Sequence, residues 1–402
     1  MGGGRTALIP FDEAVVAVMA VAKPRASERV PLDEAAWRVL TEPVVARVDA
    51  PPATVSAMDG YAVREADLTR LPARLRVIGE AFAGAPGGQA IAAGEALRIF
   101  TGAPLPAGSD RVVIQEAVER DGEWAVIAGP LDEAGYLRAR GSDFAAGEQL
   151  LPVGRLLDPR ALVAAAAADL RRVAVHRKPR LTILATGDEL VPPGGAAGRP
   201  GAIPDSVTPG IAALAEVWGG EAIARHRLRD DPAMLERAAA EAVEISDLVV
   251  VTGGASVGER DRAKAMFAPL DLQMLFAKVA MKPGKPVWLG RAGGALVLGL
   301  PGNPTSALVT GRLLLAPLVA GLAGRDPASA LRWRTAPLAE PLGRGGGRET
   351  FLRGVLRDAA VRPLPNQDSG AQGMLAEADV LIRRPIGAAP VERGEKVEII
   401  DF

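Results

Sequence analysis

Between Leu181 and Leu322 the chain alternates apolar stretches with glycine-rich turns and helix-like segments. The three apolar stretches are Leu181–Ala185, Leu248–Val251 and Ala295–Leu300. Repeated units of strand, turn and helix predict a mostly parallel sheet that is covered by helices on both faces. Because ligands of such sheets bind beyond the carboxyl ends of the strands, we expect the three turns to converge on one crevice.

The flanking segments predict further domains of a different character. Short apolar runs separated by glycine and proline indicate a β-rich insert from about Val48 to Gln149. The segments Ala26–Val45 and Leu151–Val175, on either side of the insert, look helical and are expected to form one connecting domain. Short strands with frequent glycine after Leu322 predict a small C-terminal β domain.

Together these patterns predict an α/β multidomain fold. The expected boundaries place the α/β domain at 1–25 and 178–328, the helical connecting domain at 26–46 and 147–177, the β-rich insert domain at 47–146, and a C-terminal β-barrel domain at 329–402. A chain of 402 residues is long enough to bury several separate cores, which agrees with this division.

Composition narrows the chemistry that the chain can perform. The net charge is −1 and no long basic run occurs, so neither nucleic acid nor a membrane is an expected partner. Asp12 and Glu13 precede the apolar run Ala14–Ala22, which predicts an amphipathic first helix instead of a signal peptide. The absence of cysteine fits the reducing cytoplasm. With only His176 and His226 available, any protein-bound cation is expected to be a hard one such as Mg²⁺.

The first and third turns carry polar groups directly after predicted strands. The first reads Thr186-Gly187-Asp188-Glu189, for which a turn with a helix-capping acid is an equally good explanation. The third reads Pro301-Gly302-Asn303-Pro304-Thr305-Ser306 and presents Asn303 and Ser306 at a predicted helix start. A helix cap is the alternative role for Asn303.

The second turn carries three glycines and two hydroxyls, in Thr252-Gly253-Gly254-Ala255-Ser256-Val257-Gly258, followed by Asp261. Glycine lets backbone N–H groups approach a phosphate or another oxyanion closely, and a following helix start adds a favourable dipole. The pattern is neither the P-loop nor the dinucleotide fingerprint. We therefore favour an anion cradle over a plain glycine loop.

Lysine is rare in this chain, and its distribution is uneven. Three of the seven lysines, Lys278, Lys282 and Lys285, fall within eight residues that also include Pro283 and Gly284. Clustered cations are typical of a site for phosphate or other oxyanion groups. A solvated face is the alternative, which the flanking prolines and apolar residues disfavour.

The insert adds acids in glycine-rich contexts. Asp59 stands in Ser56-Ala57-Met58-Asp59-Gly60-Tyr61, and Asp143 follows Arg140-Gly141-Ser142. Each by itself is also compatible with an ordinary turn carboxylate.

In combination these segments resemble the MoeA family of molybdopterin molybdenumtransferases, to which the C-terminal domain of gephyrin is similar. The resemblance extends over nearly the whole chain and rests on co-linear motifs at Ser56–Val63, Phe100–Pro106, Arg140–Asp143, Thr186–Leu190, Thr252–Asp261, Met281–Pro286, Leu300–Ser306, Arg348–Arg353, Asp368–Gly370 and Ala378–Ile382.

The resemblance implies an enzyme with a MogA-like central α/β domain. Such an enzyme inserts molybdate into adenylylated molybdopterin and releases AMP, which yields the molybdenum cofactor. It also implies a homodimer, and the pathway's adenylyltransferase and cofactor-accepting molybdoenzymes are candidate partners. In that family the second domain of the partner subunit completes the pterin crevice, so one set of residues would face another across the interface: Asp59, Thr101 and Asp143 opposite Glu189, Asp230 and Asp261.

The expected site residues follow from the turns, the lysine cluster and the resemblance. The expected catalytic residues are Asp59, Asp143, Glu189, Asp230 and Asp261, of which Glu189, Asp230 and Asp261 are the expected Mg²⁺ ligands. The expected substrate-binding residues are Thr101, Gly102, Thr186, Gly187, Asp188, Gly253, Gly254, Ser256, Gly258, Lys278, Lys282, Pro283, Gly284, Lys285, Pro301, Gly302, Asn303, Pro304 and Ser306.

One departure and two alternatives bear on this hypothesis. Val207 stands where the family usually has asparagine, which removes one polar substrate contact. The first alternative is the adenylyltransferase of the same pathway, whose single domain resembles Leu181–Leu322. The second is a gephyrin-like scaffold without turnover, which the number of acids disfavours because unpaired charges gathered in one cleft destabilise a fold.

Overall fold

The computed structural model describes residues 8–85, 89–253 and 262–402. The described residues form two compact units. The first draws on Met1–Glu28, Trp37–Val39 and Val175–Phe402, and the second on Arg29–Ala36 and Leu40–Ala174. The finer division into four domains stays a prediction.

Two helices, α2 (Pro159–Ala167) and α4 (Pro232–Ile245), begin with a capping aspartate followed by proline. Asp231, for example, accepts a hydrogen bond from the amide of Met234 at 2.8 Å, and Pro232 follows it at the first helical position. The α-helices are α1 (Phe11–Val21), α2 (Pro159–Ala167), α3 (Val207–Val217), α4 (Pro232–Ile245), α5 (Arg262–Ala265), α6 (Pro304–Thr310), α7 (Ala316–Leu322) and α8 (Gln372–Glu377).

Most strands are short, and the two longest, β6 (Ala73–Ala81) and β25 (Glu349–Arg357), have nine residues each. In chain order the strands are β1 (Leu8–Ile9), β2 (Ser27–Pro31), β3 (Val44–Val45), β4 (Val55–Ser56), β5 (Gly60–Val63), β6 (Ala73–Ala81), β7 (Glu95–Ile99), β8 (Arg111–Ile114), β9 (Val118–Asp121), β10 (Trp124–Ile127), β11 (Leu137–Arg138), β12 (Gln149–Leu151), β13 (Arg172–His176), β14 (Arg180–Thr186), β15 (Leu190–Val191), β16 (Ile203–Pro204), β17 (Glu221–Leu228), β18 (Leu248–Thr252), β19 (Gln273–Phe276), β20 (Lys278–Val279), β21 (Met281–Lys282), β22 (Trp288–Ala292), β23 (Ala295–Leu300), β24 (Arg334–Pro337), β25 (Glu349–Arg357), β26 (Ala360–Pro363), β27 (Val380–Arg384) and β28 (Lys396–Asp401).

The central sheet of the first unit has the strand order β17-β14-β18-β23-β22-β19. The first four strands pair in parallel, and β22 and β19 continue the sheet in antiparallel fashion. Alternate residues face opposite sides: Ile183 and Val250 belong to one buried cluster, whereas Leu184 and Val251 belong to the other. Helices cover both faces, so the predicted mostly parallel α/β sheet is confirmed.

A continuous helical stretch from Pro304 to Leu322 fills the core beside this sheet. It comprises α6, a π-helical turn at Gly311–Leu315 and α7. Its length and composition would suffice to cross a membrane, but 94% of an 18-residue stretch of it is buried inside the protein. This segment is therefore accounted for as the core helix of the α/β part.

A second sheet in the first unit has the order β21-β25-β27-β28-β24, and β26 pairs with β25. This arrangement confirms the predicted β character of the C-terminal segment, whereas a separate β-barrel domain stays a prediction. The edge strand β21 of this sheet comes from the lysine segment, since Met281 pairs with Glu349 and Lys282 with Thr350 in parallel. The lysine cluster is thus joined by backbone pairing to the β domain.

The second unit contains the sheet β8-β5-β7-β6-β10-β9, which confirms the predicted β-rich insert. Next to the edge strand β8, β5 lies between β7 and β8, and a Cβ on Gly60 would lie 2.1 Å from the carbonyl oxygen of Val113. Only glycine fits this close approach of two strands.

The prediction that Ala26–Val45 and Leu151–Val175 are helical is wrong for most of their length. The first segment holds β2, a 3₁₀ turn at Leu32–Glu34 and β3, and no α-helix. The second holds α2 over the alanine run, followed by β13. Alanine content indicated helix correctly in α2 alone, because elsewhere tertiary pairing outweighed the weak local propensity.

Candidate functional site

The three glycine-rich turns of the α/β part meet at one cavity of about 420 Å³, the strand-end cavity. They follow β14, β18 and β23, which are adjacent in the sheet. Each turn contributes lining residues: Thr186 and Glu189 from the first, Thr252 and Gly253 from the second, and Gly302, Asn303 and Pro304 from the third. The predicted convergence of the three turns is confirmed.

Close backbone packing holds these turns together. Gly253 has φ +90°, and a Cβ there would lie 2.4 Å from the carbonyl oxygen of Thr186. A Cβ on Gly302 would lie 3.0 Å from the Cα of Gly253. Side chains are therefore excluded between the turns, and the backbone itself forms the floor of the cavity.

Two buried polar atoms on the cavity wall lack hydrogen-bond partners within the described part of the chain. They are Oγ1 of Thr186 and Oδ1 of Asn303. Asn303 holds the N-cap position of α6, but its side chain makes no capping bond, so a side-chain cap is not its role here. Buried polar atoms are nearly always paired in native proteins, so these two mark contact points for a bound polar ligand.

The two acids of the first turn, Asp188 and Glu189, point to different places: only Glu189 lines the strand-end cavity. The carboxylate of Glu189 folds back over Gly187, where a Cβ would lie 2.6 Å from its Oε1, and it lines the strand-end cavity. Asp188 accepts a hydrogen bond at 3.1 Å from the amide of Asp230 and is not among the lining residues. Asp188 therefore has a structural role as a turn carboxylate. Its hydrogen bond joins the first turn to the loop after β17.

Asp230 is held by a neighbouring arginine. Its Oδ2 lies 2.9 Å from Nη1 of Arg262 on α5, and its carbonyl oxygen accepts from the same nitrogen at 2.8 Å. The described residues contain no group of three or more acids and histidines placed to hold a metal ion. Four predicted site residues, Gly254, Ser256, Gly258 and Asp261, lie outside the described residues.

Asp205 is a lining residue that the sequence analysis did not place in the site. It is 2% exposed and accepts bonds from the amide and hydroxyl of Thr208 at 3.1 and 2.6 Å, while Arg227 lies 3.5 Å away. The spacing of an acid three residues before a threonine at a helix start was the available signal. Val207, the departure from the family pattern, is buried on the same cavity wall.

A second cavity of about 550 Å³, the lysine cavity, lies between the lysine segment and the C-terminal sheet. Lys282, Lys285 and Arg348 bring positive charge to it, and Ser306 of α6 lines it as well. Pro283 and Gly284 also line it. Lys278 does not line this cavity; its backbone pairs with Leu8 in the β1–β20 ladder. Pro301 lines neither cavity.

One loop connects the two cavities. Its residues Asp368 and Ser369 line the lysine cavity, whereas Gly370 and Gln372 line the strand-end cavity. Helix α6 bridges them too, with Pro304 in one and Ser306 in the other. The two cavities are therefore neighbours that share walls.

The shared loop is fixed by a buried arginine. Arg353, 1% exposed, donates from its guanidinium to the carbonyl oxygens of Asn366 at 3.0 Å, Asp368 at 2.9 Å and Ala371 at 3.1 Å. Burial lowers the pKa of Arg353. Sequence analysis named the Arg348–Arg353 segment only for its family resemblance, because a clamp across more than ten residues has no local signature.

In the second unit, Asp59 and Thr101 form a compact pair. Oδ1 of Asp59 accepts from the amide of Thr101 at 2.7 Å and from its hydroxyl at 2.8 Å. The amide bond, followed by the hydroxyl bond, holds the pKa of the Asp59 carboxyl below its usual range. Gly102 follows with φ +79°, and Asp143 is exposed, with its amide bonded to the carbonyl of Ala50 at 3.0 Å. The two hydrogen bonds from Thr101 thus orient the Asp59 carboxylate and favour its ionised form.

Three family models match the chain in order. They describe the MoeA N-terminal region (domain I and II) over residues 9–168, a probable molybdopterin binding domain over 182–321, and the MoeA C-terminal region (domain IV) over 335–402. The chain therefore has the domain order of the MoeA proteins, with a probable molybdopterin binding domain between the two MoeA regions.

Relatives and solved structures indicate the same family. The chain is 35% identical over 359 residues to the molybdopterin molybdenumtransferase of Haemophilus influenzae, covering 87% of this chain and 86% of that protein. It is 34% identical over 388 residues to that of Synechococcus elongatus, covering 94% of each. A molybdopterin biosynthesis MoeA protein from Pyrococcus horikosii superposes with a TM-score of 0.80 at 31% identity, over 98% of both chains. The chain belongs to the MoeA family of molybdenum cofactor biosynthesis enzymes.

Proposed function

We propose that this protein is a molybdopterin molybdenumtransferase, which inserts molybdate into adenylylated molybdopterin and releases AMP. The observation that carries the proposal is the pairing of the strand-end cavity, with its unpaired Thr186 and Asn303 oxygens, with the adjoining cationic lysine cavity. A substrate with a polar heterocycle and a charged phosphate chain needs both kinds of wall.

The residues have distinct tasks in this proposal. The turn after β18 and the lysine segment hold the phosphates and the pterin, and molybdate docks nearby as a tetrahedral dianion. Lys282, Lys285 and Arg348 neutralise charge. The sulfur atoms that receive molybdenum belong to the substrate, which is compatible with a chain that has no cysteine. The protein contributes positioning and electrostatic stabilisation.

Magnesium is the cation that we propose for the pyrophosphate end of the substrate. Glu189 fits such a role, since its exposed carboxylate lines the cavity beside the unpaired hydroxyl of Thr186, and both are hard oxygen donors. Asp230 fits less well because Arg262 already neutralises it. When bound, the ion would offset negative charge at the bond whose cleavage releases AMP. Asp261 stays a predicted ligand.

The test is AMP release by purified protein supplied with adenylylated molybdopterin, molybdate and Mg²⁺. Glu189→Gln should reduce the rate by about a hundredfold or more, the effect typical of losing one preorganised electrostatic group. Glu216→Gln, the same change at an exposed position on α3, is the matched control and should keep the wild-type rate. An unchanged rate in Glu189→Gln would remove Glu189 from the site.

Two other outcomes distinguish the alternatives. ATP-dependent adenylylation of free molybdopterin would identify an adenylyltransferase. Binding of the substrate without any AMP release in the wild-type protein would identify a scaffold. The homodimer, the cytoplasmic location and the protein partners stay predictions from the sequence and its family resemblance.

A further inference from the structure

A third cavity, the arginine cavity, lies on the C-terminal sheet and has a volume of about 410 Å³. Its charged lining residues are Lys282, Arg344, Arg348 and Arg384, and no acid among the described residues lines it. The glycine-rich loop Gly343–Gly347 forms one wall. The proposed reaction assigns no role to Arg344, Arg384 or this loop.

Strand alternation aims these side chains at one face. Thr350 and Leu352 are alternate residues of β25 and Arg348 immediately precedes the strand at the same spacing, and all three line the arginine cavity. Arg384 on β27 pairs with Thr350 in antiparallel register, so its side chain stands on the same face. The site is thus built on paired strands and does not depend on loose surface residues.

Arg384 is the clearest sign that an anion belongs there. Its side chain is only 6% exposed, and its Nη2 donates to the carbonyl oxygens of Gly343 at 2.9 Å and Ala389 at 2.6 Å. Within the described part of the chain it has no carboxylate partner. The neighbouring Arg383, which faces the other side, pairs with Glu349 at 2.5 Å and Asp12 at 2.8 Å.

A buried guanidinium without a counter-charge destabilises a fold, and burial lowers the pKa of Arg384 accordingly. The surrounding residues increase this imbalance, because Lys282, Arg344 and Arg348 also have no carboxylate partner among the described residues. An external anion would offset all four charges.

We propose that the arginine cavity binds a ligand with two linked oxyanion groups, of the diphosphate class, at a site separate from the strand-end cavity. Four cations match the charge of two adjacent dianionic groups, and planar guanidinium groups suit phosphoryl oxygens. The cavity is several times larger than one tetrahedral oxyanion, which favours the linked pair over a single group. The arginine cavity shares Lys282 and Arg348 with the lysine cavity of the proposed function, whereas Arg344, Arg384 and the glycine-rich loop line the arginine cavity and not the lysine cavity.

The test is calorimetric titration of the full chain with inorganic pyrophosphate, compared with orthophosphate. Wild-type protein should bind pyrophosphate more tightly than orthophosphate. Arg344→Ala, an exposed change that leaves the fold intact, should weaken pyrophosphate binding about tenfold, and Arg384→Lys should weaken it at least as much because lysine lacks the guanidinium fork. Thermal melts establish that each variant is folded.

Two controls locate the binding. Arg393→Ala removes an exposed arginine of the same β domain that does not line the cavity, and it should bind like the wild type. Lys285→Ala alters the lysine cavity only, so it should weaken pyrophosphate binding less than Arg344→Ala does. Wild-type affinity in Arg344→Ala, or equal losses in Lys285→Ala and Arg344→Ala, would overturn the proposal.

Discussion

The carbonyl oxygen of Thr186 would lie 2.4 Å from a Cβ on Gly253, so the ends of two adjacent strands meet with no room for a side chain. This contact joins residues 67 positions apart and fixes the floor of the strand-end cavity. The same threonine lines that cavity, and its hydroxyl has no hydrogen-bond partner among the described residues. Thr186, at the end of β14, therefore packs against the neighbouring turn with its backbone and also lines the cavity.

Gly253→Ala should destabilise the protein and impair its activity. The φ of +90° and the close carbonyl both oppose a Cβ, with an expected loss of about 1–3 kcal/mol in the free energy of unfolding. Urea denaturation measures this loss, and the KM for adenylylated molybdopterin should rise. Gly294→Ala is the control, since a Cβ there has no heavy atom within 4 Å. Equal stability of the two variants would show that the close approach is absent in solution.

Thr186→Val should weaken substrate binding without destabilising the fold. The hydroxyl has no hydrogen-bond partner among the described residues, so its removal breaks no hydrogen bond between them. The expected KM increase is roughly tenfold, the value of one lost hydrogen bond to a charged ligand.

The matched control is Thr182→Val, on the same strand. Oγ1 of Thr182 lies 2.7 Å from Oγ of Ser246, so this variant should lose about 1 kcal/mol of stability and keep its KM. A loss of stability with an unchanged KM in Thr186→Val would show that the Thr186 hydroxyl is structural.

The stability contributed by Asp59 should depend on pH. Because hydrogen bonds from Thr101 depress the pKa of Asp59 in the folded state, the contribution is present above the unfolded-state value of 3.8 and is lost as pH falls through the folded-state pKa. The difference in unfolding free energy between wild type and Asp59→Asn should therefore be constant above about pH 5 and shrink in acid. Urea denaturation across a pH series checks this.

Thr101→Val should raise the pKa of Asp59 part of the way to its ordinary value. The variant removes the hydroxyl donor and keeps the amide donor, which has the larger effect. Carbon-13 NMR titration of the carboxyl group measures the change, and an unaltered titration would show that the hydroxyl bond is absent.

Arg353→Lys should release the loop that both cavities share. Lysine keeps the charge but cannot bond three carbonyl oxygens in a plane, so a loss of about 2–3 kcal/mol is expected. The KM for substrate should rise more than kcat falls, because the loop positions cavity walls. Arg362→Lys, at an exposed ion pair with Glu340, is the control and should change neither quantity.

Mixed dimers test the expected arrangement of two protomers. If Asp59 of one subunit serves the Glu189 site of its partner, mixing equal amounts of inactive Asp59→Asn and Glu189→Gln proteins should restore activity. About half of the dimers are then mixed, and each mixed dimer has one intact site of two. The expected recovery is therefore about a quarter of the wild-type activity. AMP release after subunit exchange measures this. Absence of recovery, with exchange shown by mass spectrometry, would place both residues in one subunit's site.

The sequence by itself determined the α/β pattern of the central sheet, the β character of the insert and the tail, and the positions of the three turns. These features depend on local signals, namely the period of apolar residues and the glycines at strand ends. The co-linear motifs also determined the family, because their order along the chain needs no knowledge of contacts.

Only the tertiary structure decided which polar residues face a cavity. It directed Glu189 to the strand-end cavity and Asp188 to the amide of Asp230, and it brought Lys282 beside Thr350 through a strand pairing across 68 positions. It also replaced the expected helix at Ala26–Val45 with strands. The physical reason is that such choices depend on pairing and burial between distant segments, whose free energies exceed the small local preferences that a sequence displays.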